Sequence, residues 1–487
     1  MQQVNKAHWL FILCLAVIAE SIPAFCRQPA VTSAVSTFEP APWLEDFHQL
    51  LREMSSHYAN LDWAIEERRM DLPKLRVETE AALQQARVAA DARRTLDHFV
   101  DSFGDGHLEL NWPKGDSQAP TAVDHASLCE RLGYKGRRKA WIDFSLLPQF
   151  SPLPTEDGVF FSGGLLKLPS GKTLGIVRIG VFSEKAYPEA CQQAVQELNM
   201  PDNANCGDEC TKKIEIRTAN LLTAALTASA EELRRAGAAA LLVDITHNGG
   251  GSDWVEAAPR ALSSKPLRDP RLAFIKNEHW TTQLEDALKE VDTDLNNHRG
   301  PNQLLRNAAA TLERAIAASK RPCNPEEAWT TGKVDCSLLV KDLLFASGVL
   351  SYAPPGSFTG LESRTTLFHP ARYAYTEKRN RLPLYVLVDS DTWSAAEYFA
   401  ALLQDNKAAT IVGELTGGAG CGYTNGGIPT ELKNSKAEIK MPDCVRLRAD
   451  GSDEVNGVTP DVPVPWAHRD SPFQRAQKLF NVLRSLR

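Results

Sequence analysis

The sequence has no excess of basic residues: 54 Lys and Arg stand against 61 Asp and Glu, for a net charge of −7. Phosphate backbones repel such a chain unless its cations gather in a stripe. No stripe is present, which argues against nucleic acid as a partner. Past the N-terminus there is no run of 18 uncharged apolar residues, so no membrane span is expected in the mature chain. Gly and Pro, at 30 and 29 of 487 residues, are not enriched, and 43% of residues are hydrophobic. Collagen-like, coiled-coil and disordered classes are thereby excluded. No CxxC pair has a matching His or Cys pair, so a cysteine metal site has little support. Internal repeats and low-complexity tracts are also lacking.

What is present begins with a destination. Lys6 is the only charge before an uncharged stretch at residues 9–19, WLFILCLAVIA. That length suits the apolar core of a secretory signal and is too short to cross a bilayer as a helix. Small residues around Ala24 offer a cleavage point. Residues 1–24 therefore read as a signal peptide and 25–41 as a leader, with a buried N-terminal helix as the rival reading. Cys26 leaves a lipidated N-terminus open, although Pro23-Ala24-Phe25 is a poor context for it. Eight further cysteines follow, at 129, 191, 206, 210, 323, 336, 421 and 444. An even set in an exported chain predicts disulfides, with Cys323–Cys336 the favoured local pair and Cys206/Cys210 another candidate. The expected location is periplasmic or secreted.

The spacing of apolar residues predicts an N-terminal helical domain over 42–100, with Asp71 capping a helix that restarts at Pro73. Residues 101–172 read as irregular and partly β. The segment 173–466 reads as an α/β core, interrupted by a helical insertion near 277–320, with a C-terminal helix in 467–487. The runs at 239–245 (AALLVDI) and 384–388 (LYVLV) are continuously apolar. Strands of that kind are covered on both faces, as in a parallel sheet. Strand, helix and strand between 384 and 412 predict a parallel crossover. Ligands in such sheets lie beyond the carboxyl ends of the strands, which points to the loops 246–252 and 389–393.

The first loop, Thr246-His247-Asn248-Gly249-Gly250-Gly251-Ser252, can turn N–H groups to one side and hold an anion. No Gly-Lys-Ser/Thr follows, so a nucleotide cradle is disfavoured against an oxyanion hole or a plain tight turn. The second loop delivers Ser394 to a helix start in Ser394-Ala395-Ala396-Glu397. Ser-x-x-Glu is a capping box, and a serine there is also placed as a nucleophile beside a helix N-terminus. The Ala395 N–H and that of Gly250 or Gly251 would then face the oxyanion. The candidate bases are His107, in Asp105-Gly106-His107, and His247.

These blocks resemble the tail-specific, or carboxy-terminal processing, serine protease family. Asp105-Gly106-His107, residues 174–182 (LGIVRIGVF), 241–252 (LLVDITHNGGGS), 384–420 and Gly457-Val458-Thr459-Pro460-Asp461-Val462 match in the family's order. The Ser–Lys branch would place its lysine at position 419, which here is Ala419. The branch that includes the tricorn core peptidase resembles a Ser, His and Glu arrangement, and its positions fall on Ser394, His107 and Glu454. The resemblance implies that Glu454 orients His107 directly or through a water or hydroxyl. It also implies a structural Asp405 after the helix. No recognisable PDZ module lies between His107 and Leu174, a stretch shorter than such a module.

The fold class expected is thus α/β, a parallel-containing core sheet with flanking helices. The function expected is an exported serine endopeptidase acting on polypeptides, without metal or other cofactor. The alternative is a non-catalytic ligand- or peptide-binding protein on the same fold. A periplasmic transport-binding protein is disfavoured by the helical insertion. Oligomeric state is not encoded in any pattern found.

Overall fold

The structure is a computed structural model that describes residues 38–113, 126–136, 141–153, 160–321, 323, 325–423 and 429–485. The predicted signal segment and Cys26 lie outside the described residues. Residues Glu39–Arg487 form one unit.

Its centre is a seven-stranded sheet. From one edge the strands run Val462–Pro463, Thr410–Gly413, Leu384–Val388, Ala240–Asp244, Thr173–Arg178, Gly163–Lys167 and Phe150–Pro152. The first five are parallel neighbours, and the last two join antiparallel. The continuous apolar runs have the physical cause read from them. Leu241, Val243, Val386 and Ile411 face one layer with Leu222, Leu226 and Phe399 of the helices Asp208–Arg235 and Ala395–Asp405. Leu242, Leu387 and Val412 face the other layer with Leu479, Phe480 and Leu483 of the helix Pro472–Leu483. Both faces are covered, so neither alternates with polar residues. The helix Asp208–Arg235 starts on Asp208 and Glu209 and ends on Arg234 and Arg235, in the sense its dipole favours.

The insertion is a pair of helices, Glu278–Asn296 and Asn302–Ser319, and the N-terminal segment supplies Ala41–His57, Leu61–Glu66, Leu72–Gln85 and Ala89–Asp101. Phe47, Phe99, Phe103 and Trp329 pack ring to ring beneath the latter helices. A small sheet, in which Glu109–Asn111 pairs with Glu438–Lys440, carries the N-terminal segment to the core. That pairing brings His107 to the strand ends.

All eight cysteines named above are bonded: Cys129–Cys191, Cys206–Cys210, Cys323–Cys336 and Cys421–Cys444. Such a set belongs to a chain folded outside the reducing cytosol. Among the described residues no helix is long and apolar enough to cross a membrane. Peptide mapping without reductant should recover these four pairs. Cys129–Cys191 closes a loop of sequence separation 62, and its loss should cost about 4 kcal/mol of unfolding free energy. Denaturant titration of the Cys129→Ser/Cys191→Ser variant checks this; a cost below about 1 kcal/mol would show that the crosslink adds little.

Candidate active site

The two loops leaving the sheet are joined by their backbones. Trp393 N–H donates to the Asn248 carbonyl at 3.0 Å, and Asn248 Nδ2 donates to the Ile179 carbonyl at 2.9 Å. Ser394 stands on the turn between strand and helix with φ 55° and ψ −119°. A non-glycine residue there is strained by about 1–3 kcal/mol, and the turn presents its hydroxyl outward. Gly250 explains the tight approach of the glycine loop. A Cβ on it would lie 2.8 Å from both Ser394 Cβ and the Ala395 nitrogen.

Ser394 Oγ lies 3.0 Å from His107 Nε2, and His107 Nδ1 lies 2.6 Å from the Ala419 carbonyl oxygen. A carbonyl can only accept, so Nδ1 carries the proton and Nε2 offers its lone pair to the serine. Burial holds the His107 pKa below the ordinary histidine value, although the Asp105 charge opposes that shift. The position where the Ser–Lys branch has its base thus contributes a backbone acceptor for the histidine instead.

Glu397 explains why that carbonyl is in place. Buried, it accepts from the Ser394 N–H at 2.9 Å, the Thr416 hydroxyl at 2.6 Å, and the Gly418 and Ala419 N–H groups at 2.7 and 2.8 Å. One carboxylate therefore positions both the Ser394 backbone and the loop whose Ala419 carbonyl meets His107. Burial raises its pKa, and these donors oppose the rise. The Ser-x-x-Glu spacing was visible in the sequence, but only as a cap.

The remaining expected residues are distributed as follows. Glu454 is buried but does not bond to the His107 ring. Arg446 takes both of its oxygens at 2.8 Å and also donates to the Gly420 carbonyl at 2.6 Å. Gly250 N–H is engaged with Asn248 Oδ1 at 3.0 Å, so it is not the free donor the loop pattern suggested. Gly251 N–H and Ala395 N–H have no acceptor among the described residues. The His247 ring is engaged by groups other than Ser394. Its Nδ1 meets Asp389 Oδ2 at 2.5 Å, its Nε2 meets Asp391 at 3.1 Å, and its ring stacks on Trp141. Asp405 anchors Arg448 and the Ala449 N–H, a structural task. Sequence reasoning missed Arg446, which no motif marks. A cleft of about 690 Å³ opens beside Ser394, lined by Gly251, Ala395, Cys421, Tyr423 and Arg446 among others. Among the described residues no cluster of three or more His, Cys, Asp or Glu side chains could hold a metal.

A serine on a strand-to-helix turn with a histidine partner at the ends of a parallel sheet is an arrangement that serine hydrolases use. Residues 213–464, more than half the chain, match the model of peptidase family S41, and the chain belongs to that family. That family comprises serine-type peptidases of the tail-specific group. A protein of Chlamydia pneumoniae is 25% identical over 240 residues, covering 47% of this chain and 34% of that protein. One of Chlamydia muridarum is 25% identical over 252 residues, covering 49% and 38%. This chain therefore spans little more than a third of those relatives. The crystal structure of mature CPAF is similar with a TM-score of 0.55 at 15% identity, covering 92% of this chain and 97% of that one. That likeness concerns the fold.

Proposed function

We propose that the chain is an exported endopeptidase in which Ser394 is the nucleophile and His107 its general base. The observation that carries this reading is the 3.0 Å contact between Ser394 Oγ and His107 Nε2. As Oγ bonds to the scissile carbonyl carbon, its proton passes to Nε2 and the carbonyl oxygen becomes an oxyanion. The N–H groups of Gly251 and Ala395 face that charge, with the helix N-terminus behind Ala395. When the C–N bond breaks, His107 returns the proton to the leaving amine, and a water repeats the sequence to free the acid. Glu454 serves at one remove, holding Arg446 against the Gly420 carbonyl beside the Ala419 acceptor. Export is supported by the apolar run at 9–19 and by the four disulfides.

A fluorophosphonate probe tests the reading on protein recovered from the exported fraction of expressing cells. The probe should attach at Ser394 alone, as read by peptide mass. If folded protein from that fraction neither labels nor cleaves an unfolded polypeptide, the binding-protein reading takes its place.

A further inference from the structure

We infer that Asp105, and not Glu454, is the carboxylate that stabilises the His107 imidazolium formed when Ser394 gives up its proton. The inference rests on the Ser394–His107 chemistry proposed above and assigns Asp105 as its positioning and charge-compensating residue.

The geometry separates the two carboxylates. Glu454 is engaged by the two-pronged Arg446 pair, so its negative charge is countered before it reaches the ring. Asp105 has only neutral donors: Tyr58 hydroxyl at 3.1 Å and Asn60 Nδ2 at 2.7 Å on Oδ2, and the His107 N–H at 2.9 Å on Oδ1. Two of these can only donate, which favours the anionic carboxylate against the burial that raises its pKa. No Lys or Arg pairs with Asp105 among the described residues, although it is 7% exposed. Buried carboxylates ordinarily have a cationic partner. The cation this site can produce is His107 itself, two residues along the chain and tied to Asp105 Oδ1 through its backbone N–H.

The other charges around the pair are few. Glu109 and Arg446 also face His107, with opposite effects, and the Tyr423 ring meets it edge-on. Glu109 is exposed, so solvent and salt weaken its influence. Asp453 and Tyr58 face Asp105; burial and the Asp105 charge push Asp453 up to about 7 and Tyr58 well above its usual value. Arg68 lies near Tyr58 and donates to the Phe103 carbonyl.

The test reads the His107 titration by NMR in a Ser394→Ala background, where hydrolysis is not needed. Asp105→Asn keeps an acceptor for the His107 N–H. Asn60, whose Oδ1 has no partner, can turn to accept from the new side-chain amide. The His107 midpoint should fall by about one unit. In Arg446→Gln/Glu454→Gln, which removes a neutral pair, it should stay within roughly half a unit. With Ser394 present, Asp105→Asn should lower kcat about tenfold at unchanged KM and move the acid limb down. An unmoved midpoint in folded Asp105→Asn, or a shift of a unit or more in the double variant, overturns the inference. If Asp105→Asn does not fold, Asp105→Ser, whose hydroxyl can still accept from the His107 N–H, takes its place and is read by the same outcomes. An unlabelled wild type would sink the peptidase chemistry, whereas the titration reads the Asp105 charge regardless.

Discussion

Ser394→Ala is expected to abolish peptide cleavage, by on the order of 10⁴-fold or more in kcat, while leaving the fold in place. The same residue starts a helix, and the two roles respond differently to substitution. A serine that only caps would lose about 0.5–2 kcal/mol on change to alanine and almost nothing on change to Asp or Asn. Here the Glu397 carboxylate grips the Ser394 backbone N–H, a bond any residue at that position keeps. The loss of stability should therefore sit at the low end of that range. Ser394→Asp and Ser394→Asn keep the Glu397 bond to the backbone N–H and a short polar side chain on the turn, so they too should fold. None of the three should cleave. Kinetics on a denatured protein substrate, paired with thermal unfolding, check both halves. Residual cleavage above a tenth of wild type in Ser394→Ala would remove the nucleophile assignment.

Much of the fold was legible because burial on both faces leaves a continuous apolar signature, as at Leu241–Leu242–Val243 and Leu384–Val388. The strand, turn and helix around Ser394 were legible for a related reason, since glycine and capping residues mark where the chain turns. The parts that escaped are those made by backbone atoms or by distant pairing. Nothing in the residue Ala419 announces that its carbonyl will orient a histidine 312 positions away. Gly250 and Gly251 look alike in sequence, and only the Asn248 side chain decides which N–H stays free. Arg446 reaches Glu454 because a short turn folds Leu447 against Asp453, a register no local pattern specifies. Glu397 was visible but underestimated, because a cap needs one bond and this carboxylate makes four.

His107→Ala is the companion expectation, a loss comparable to that of Ser394→Ala, because the two side chains act in one proton transfer. The Ser394→Ala/His107→Ala double variant should accordingly be little worse than either single change, as residues working as a unit are not additive. The pH profile gives the sign. A general base must be neutral, so hydrolysis is present above the His107 pKa and lost as pH falls through it. Burial disfavours the imidazolium and lowers that pKa, which places the acid limb below the ordinary histidine value of about 6.5. His247 has its nitrogens on Asp389 and Asp391 and no bond to Ser394, so His247→Ala should keep its hydrolysis and the same acid limb. Measured kcat/KM against pH for the wild type and both variants decides the matter. Were His247→Ala the inactive variant and His107→Ala the active one, the base would belong to the glycine loop and the 3.0 Å contact would be incidental.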